Sequence, residues 1–522
     1  MDSTTPIGPA LDIPSADGQA WDDEADVIVV GWGAAGACAA LEARASGASV
    51  LVVDRFEGGG ASALSGGVVY AGGGTRQQRE AGLADSPAAM ADYLKREVQG
   101  VVSDATVERF CADSVGNLEW LEAQGVRFGS TMPVHKTSYP PDGVFLYYSG
   151  NELVPDYRGP AAPAPRGHRA VARGQSGAAL FAALRQATLD AGARLRTQSA
   201  VRRLVREGER VVGVEAWCLS GEAARQHARL ARRIERWRLT RPAQCQQWRE
   251  QAAALERAHA RPRLLRARRG LVLATGGFIF NRALLQAQAP HALPGFPIGG
   301  AGCDGSGLRL GQSVGGRGDQ LGNVSAWRFI SPPSAWPKGL VVNAQGRRFC
   351  NEEVYGARLG HEIVARQGGR AWLILDAKLR AQSLRECLFG RLWAFQSIPA
   401  LIALLTAKKA ASLAALAARI GADAAALARS ADEKPMAHGP FYAIDLSIGQ
   451  PIMPMATITL GGLAINESSG HVTDAQGRDI AGLHAAGRCA IGLASSHYVS
   501  GLSLADCVFS GRRAGRAAAT AP

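Results

Sequence analysis

Residues 26–54 read DVIVVGWGAAGACAALEARASGASVLVVD, from Asp26 to Asp54. Asp26–Val30 is a short β-branched run that stops at glycine, the pattern of a strand buried in a parallel sheet. Gly31-Trp32-Gly33-Ala34-Ala35-Gly36 supplies G-x-G-x-x-G. Gly31 permits the tight turn, Gly33 lets backbone approach a pyrophosphate, and Gly36 lets the following helix pack close to the strand. Ala37–Ser46 is a small-residue helix whose N-terminus faces the phosphates. A second strand, Ala48–Val53, delivers Asp54, twenty-one residues beyond Gly33, where a carboxylate accepts both ribose hydroxyls. Strand, loop, helix, strand and acid at these offsets point to a bound adenine dinucleotide.

With 522 residues, 47% of them apolar, the chain has material for two or three domains. The first twenty residues show neither a basic start nor an apolar core, so no secretory signal is expected. No apolar run reaches the roughly eighteen residues of a membrane span. Nine cysteines are scattered from Cys38 to Cys507 without a C-x-x-C pair, which excludes a zinc ribbon or haem attachment and fits a reducing cytosol. A net charge of +13 would suggest nucleic acid if it were dispersed. It is concentrated instead between Gly221 and Gly270, where fourteen arginines face four acids. Leu230, Ile234 and Trp237 keep helical spacing there, and Pro242 and Pro262 interrupt it. The segment reads as a solvated amphipathic hairpin or as a patch resting on an anionic membrane surface. It lacks the aromatic-basic pattern of a strand-binding groove, so nucleic acid is set aside.

Along the chain, residues 1–24 read as a loosely held tail. Glu57–Gly67 is denser in glycine and serine than a short connection needs. Its Ser62 and Ser65 hydroxyls and flexible backbone donors suit a pyrophosphate and ribityl chain, with a plain turn as the alternative. It contains no histidine, so no covalent flavin–histidine link is expected at this loop. Residues 137–152, TSYPPDGVFLYYSGNE, combine aromatics with turn residues, as a wall over an apolar cavity or ordinary loop packing. Arg194–Arg206 and Val211–Trp217 read as a strand and its return, and Gly270–Gly277 as a buried strand ending in Thr275-Gly276-Gly277. Short strands return after Ala456, so the dinucleotide domain is discontinuous and the middle is inserted as a cap.

These segments together resemble a known family. The N-terminal fingerprint, GGASALSGG, the ATGG strand end, GRRFCNE and the closing GLHAAGR…GLSLAD resemble the succinate dehydrogenase/fumarate reductase and 3-ketosteroid dehydrogenase flavoproteins. Within that superfamily SYPPDGVFLYYSGNE, NEEVYGARLG and HYVSGLSLADCVFSGRRAG are most similar to the 3-ketosteroid Δ4-(5α)-dehydrogenases. The likeness covers Asp26 to Arg516, the arginine-rich insertion excepted. It implies an α/β fold: a Rossmann-like FAD-binding domain in two parts, 25–285 (with the insertion 221–269) and 441–522, around an α+β cap at 286–440. It also implies non-covalent FAD. Gly31, Gly33, Gly36 and Asp54 would hold the AMP half, and the Val201 backbone would meet adenine. Ser62, Ser65, Gly66 and Gly67 would line the pyrophosphate and flavin. Asp304, Gly487 and the Leu502–Ser503–Leu504 backbone would complete the site, with Ala35, Arg55, Thr275 and Gly276 joining the cofactor set. The helix near Leu502 would aim N–H groups at the flavin N1/O2 edge. The chain departs from the family in Asp54 (glutamate is common), in Trp32 and in His484, where tyrosine is frequent.

The implied activity is desaturation of a 3-ketosteroid between C4 and C5. That needs a donor to polarise the ketone, a base for the neighbouring proton and a flavin N5 to take hydride. The family's two tyrosines and serine match Tyr355, Tyr498 and Ser500. Tyr498 and Ser500, two apart, share one side of an extended segment before the flavin-facing helix. Ser500 is expected to relay to Tyr498 while Tyr355 reaches in from the cap; which tyrosine is the base stays open, and two hydrogen-bonded core tyrosines are the alternative. The expected partners are a hydrophobic steroid and an external electron acceptor such as a quinone. The competing activities are Δ1-desaturation and fumarate-type reduction, which needs cationic clamps. Arg358 stands three residues past Tyr355, and Thr457–Gly462 lacks a histidine, both against the fumarate reading. A non-enzymatic flavin carrier or sensor finds no supporting motif.

Overall fold

The computed structural model describes residues 3–390, 392–434, 436 and 439–521. Its main sheet grows from the quoted stretch. Asp23–Val30 lies between Val50–Val53 and the second half of Arg261–Leu273, parallel to both. Arg194–Arg196 extends the sheet beyond Val50–Val53, and Asp479–Ala485 joins on the other side, pairing Leu271 with Leu483. Val27, Ile28 and Val29 are fully buried, as a strand covered on both faces requires. Because Asp479–Ala485 comes from the far end of the chain, the nucleotide fold is assembled from two separated segments.

Helix Ala34–Ala45 and the terminal helix Leu502–Thr520 lie against each other on one face of this sheet. They touch backbone to backbone. A Cβ on Gly511 would stand 2.5 Å from the Ala35 carbonyl, and one on Gly515 2.2 Å from that of Ala39. The two helices therefore run parallel, the N-terminus of the first beside the middle of the second. The Gly36 reading holds in the same terms, since a Cβ there would meet the Gly31 carbonyl at 1.9 Å.

Three boundaries differ from the sequence expectation. The tail is packed: Leu11–Ile13 pairs parallel with Val205–Glu207, and Thr5 is buried with its N–H and hydroxyl on Asp304. Alternating polar residues hide a short edge strand. The span 194–206 divides into Arg194–Arg196 and Ser199–Glu207, broken where Gln198 takes φ 52°. The cap runs past 440, because Phe441–Asp445 pairs with Trp372–Leu375 inside the cap's own four-stranded antiparallel sheet. That sheet, with Leu340–Asn343 and Lys408–Ala410, carries the apolar clusters around Leu373 and Leu416.

Candidate active site

A cavity of about 300 Å³ runs from the strand ends at Val30 and Val53 to the aromatic underside of the cap. Of the residues expected at the cofactor, Gly31, Gly33, Ala35, Asp54, Arg55, Ser62, Ser65, Gly66, Val201, Thr275, Gly276, Gly487, Ser503 and Leu504 line it. Gly31 has φ 101°, and a Cβ would stand 2.6 Å from the Ala274 carbonyl, so only glycine makes this turn. The Asp54 carboxylate accepts the Trp32 N–H at 2.7 Å, the Phe56 N–H at 2.8 Å and the Gly58 N–H at 3.3 Å. Burial raises its pKa against the pull of those three donors. Two backbone turns thus aim one acid at the place where ribose hydroxyls are expected. The bulky Trp32 is fully buried, edge-on to Phe181 at 5.7 Å and tight against Gly58.

The two loop serines do more than face a ligand. Ser62 Oγ accepts the Ala34 N–H at 3.0 Å, capping the phosphate-facing helix, and keeps its own proton to donate. Ser65 Oγ donates to the Ser62 carbonyl at 2.7 Å and accepts the Gly67 N–H at 3.1 Å, which shapes the loop. Gly67 lies behind the cavity wall, where a Cβ would meet Ser176 backbone at 2.4 Å. Leu502 gives its N–H to the Val499 carbonyl at 3.0 Å. That leaves Ser503 and Leu504, in a first turn without intrahelical acceptors, at the cavity. Asp304 stands off the lining. Its Oδ2 accepts from Thr5 and from Arg55 Nη1 at 2.9 Å, and Oδ1 accepts the Ser306 N–H. It orients Arg55, which does line the cavity.

At the other end the rings take over. Tyr498 lines the cavity and stands 4.9 Å, centroid to centroid, from Trp327. Trp327 meets Phe329 at 6.0 Å, and Phe329 meets Tyr355 at 5.5 Å. Tyr355 is buried at the start of Gly356–His361, its N–H bonded to Asn151 Oδ1 at 2.6 Å. The GRRFCNE loop that leads to it is locked by Glu352, which binds Arg348 at 3.0 Å and Lys434 at 2.8 Å. Ser500 Oγ is 3.2 Å from the Tyr147 hydroxyl, and it eases the Tyr355 pKa down against the larger upward push of burial. The structure therefore joins Ser500 to Tyr147 rather than directly to Tyr498. Sequence reasoning misses Tyr147 as a single residue, although it singles out the stretch 137–152 that carries it. Its strand, Leu146–Tyr147, pairs antiparallel with Gly167–Arg169, Tyr147 standing opposite Gly167, a partnership that lies outside any local spacing.

Burial raises the pKa of all three phenols: Tyr498 to about 12, with Arg488 pulling the other way, and Tyr147 and Tyr355 further. The arginines on the cavity wall, among the described residues, are Arg55, Arg238 and Arg488. Arg488 Nη1 is buried without a partner, and Nη2 lies 3.7 Å from Cys303 Sγ. Of those three arginines it is the one that acts on Tyr498. Arg358 is turned away to Glu362 and the Tyr157 ring. His484, the residue in place of tyrosine, is buried beneath the sheet against His471 at 3.9 Å.

Glycine turns, an acid held by backbone donors and two helix N-termini along one cavity define a flavin-adenine dinucleotide site, and residues 26–504 match the FAD binding domain family, to which the chain belongs. It is an FAD-dependent oxidoreductase. Over 522 aligned residues it is 50% identical to the 3-oxo-5-alpha-steroid 4-dehydrogenase of Comamonas testosteroni, covering 93% of this chain and 97% of that one. It is 25% identical to the 3-oxosteroid 1-dehydrogenase of Mycolicibacterium smegmatis over 68% of each chain. Among solved structures it is similar to the 3-ketosteroid-delta4-(5alpha)-dehydrogenase of Rhodococcus jostii RHA1 in complex with 4-androstene-3,17-dione. That likeness has a TM-score of 0.79 and 28% identity, and it covers 99% of this chain and 100% of the other.

Proposed function

We propose that the protein desaturates the C4–C5 bond of a 5α-3-ketosteroid. The observation that carries this reading is Tyr498 on the cavity wall, linked through Trp327 and Phe329 to buried Tyr355, with the Ser500–Tyr147 pair in the same cluster, together with the chain's likeness to the Comamonas testosteroni enzyme. Bound FAD supplies the hydride acceptor at N5. It is non-covalent in this reading, held at its AMP half by Asp54 and at its flavin by the Ser503 and Leu504 N–H groups.

The phenols divide the remaining work. Tyr498, on the cavity wall with its pKa raised to about 12, remains a neutral donor at physiological pH. It hydrogen-bonds the ketone oxygen and stabilises charge that develops there when the C4 proton leaves. Ser500, whose Oγ is 3.2 Å from the Tyr147 hydroxyl, takes that proton as it gives its own hydroxyl proton to Tyr147 in phenolate form. The Tyr147 phenol has first released its proton to solvent, so the expected relay runs away from Tyr498. The C5 hydrogen leaves with its electron pair. An external acceptor such as a quinone then reoxidises the protein for another turnover.

Nine free cysteines are compatible with a cytoplasmic setting. Among the described residues no helix is long and apolar enough to cross a membrane. Peripheral contact through 221–269 rests on exposed Arg225, Arg229 and Arg233, and sedimentation with anionic vesicles tests it. The main reading is tested by anaerobic reduction of the bound flavin. A 5α-3-ketosteroid is expected to bleach it within a turnover while succinate leaves it oxidised. Bleaching by succinate alone would replace the steroid reading with the fumarate-type one.

A further inference from the structure

The arginine-rich insertion is two helices, Gly221–Trp237 and Pro242–His259, placed between strands that already pair with each other. Cys218 sits opposite Arg261 across that ladder, so the sheet would close with a short turn. What the hairpin touches must explain it. Its apolar face is turned inward: Ala231, Ile234 and Cys245 cluster with Phe56 and Ala301, two residues of the cavity wall.

Three polar struts join it to the adenosine end. His227 lies flat on Phe56 at 5.0 Å and 8°, with Nδ1 bonded to Gln198 Oε1 and Nε2 3.0 Å from Glu256 Oε1. Glu256 in turn holds Arg55 Nε at 2.7 Å. Arg232 Nη1 stands 2.8 Å from each oxygen of Glu57. Arg238 reaches across to the Leu64 carbonyl at 3.4 Å and Gln175 Oε1 at 3.3 Å, tying the hairpin to the Ser62–Gly66 loop. Glu235, Arg238 and Leu239 themselves line the cavity.

We propose that this hairpin is a clasp over the adenosine diphosphate half of the FAD, with Arg238 as the strap between the two sides of the cavity. The chemistry matches. The diphosphate is anionic, and a guanidinium on the wall gives it charge-assisted hydrogen bonds while bridging to the loop that wraps it. Over 221–260 the hairpin carries nine arginines and four acids, an excess of five positive charges, which draws the same anion in from solution. The hairpin thus acts on cofactor exchange and leaves the hydride and proton steps to the other end.

The test is the rate at which the purified holoenzyme releases FAD, read from recovery of free-flavin fluorescence after dilution. Arg238→Ala is expected to speed release by roughly 10- to 100-fold, the equivalent of one charge-assisted hydrogen bond. Arg238→Lys should fall between that and wild type. Arg225→Ala, on the outer face beside Glu222, should leave the rate unchanged. Thermal melting of the apoproteins separates release from unfolding, and Gln175→Ala supplies a second break in the strap, expected to speed release several-fold. Release at the wild-type rate in both Arg238→Ala and Gln175→Ala would overturn the clasp. So would an Arg225→Ala effect as large as that of Arg238→Ala, because overall charge alone would then account for the binding.

Discussion

The two ends of the cavity are built from opposite materials. At the adenosine end Asp54, Arg55, Glu256 and Arg238 are tied into ion pairs and backbone hydrogen bonds. At the other end Tyr498, Trp327, Phe329, Tyr355 and Tyr147 bring rings and hydroxyls, with Arg488 as the cation that acts on Tyr498. Holding an anionic cofactor is a problem of charge, solved by fixed dipoles and guanidinium groups. Taking a proton from carbon next to a ketone is a problem of acidity, solved by neutral donors in an apolar setting. Damage at one end should therefore leave the other working.

The sharpest break is Tyr498→Phe. Steady-state turnover should fall by roughly 10²- to 10⁴-fold, the range for loss of a general acid or base group, while the flavin content of the purified protein stays at wild-type level. Ser500→Ala should slow turnover by about 10²-fold, again with FAD retained. If either variant emerges without flavin, the division between the two ends is wrong.

Asp54→Asn should do the reverse. It keeps the side-chain shape but turns one acceptor oxygen into an amide donor against a backbone N–H and removes the charge toward the ribose. Loss of a charged hydrogen bond of about 1.5–3 kcal/mol weakens FAD binding by roughly 10- to 100-fold. Titration of apoprotein with FAD measures this, and turnover at saturating FAD should be little changed. Gly36→Ala tests the scaffold beneath both ends. Its Cβ has only 1.9 Å to the Gly31 carbonyl, so denaturant unfolding should show a loss of about 1–3 kcal/mol from overpacking.

The smallest effect concerns pH. Burial pushes the Glu256 carboxyl up, but Arg55 and His227 outweigh it and hold the pKa at about 2. An ordinary glutamate titrates at about 4.3 when unfolded. The stabilisation by this group is thus complete above that value and fades as pH falls toward about 2. Glu256→Gln should flatten the acid limb of the stability profile and leave the region above roughly pH 6 without slope from this group. The phenol end predicts the opposite limb. Activity that depends on neutral Tyr498 should persist through the mildly alkaline range and fall only as pH approaches about 12.

The adenosine end is legible because its parts are consecutive. Gly31, Gly33, Gly36 and Asp54 follow one another at spacings that backbone geometry dictates, and each sits where a turn or close contact demands it. Asp304 shows the limit of the resemblance, which implies a cofactor role for it: its carboxylate braces Thr5 and Arg55. The phenol end joins residues from three distant stretches, so Tyr355, Tyr498 and Ser500 are found only through family likeness, and Tyr147 not at all. The hairpin escapes for a third reason. Amphipathic spacing shows that a helix has an apolar face but not what covers it, and here Phe56 and Ala301 do. The packed N-terminus is lost to its polar composition, although Leu11–Ile13 is an edge strand.

The most direct test of the central claim is product analysis after incubation with 5α-androstane-3,17-dione and an artificial electron acceptor. The arrangement of Tyr498 against the Ser500 network predicts the 4-ene as the product, absent in Tyr498→Phe. Accumulation of a 1-ene, or no steroid product while succinate is oxidised, would contradict it.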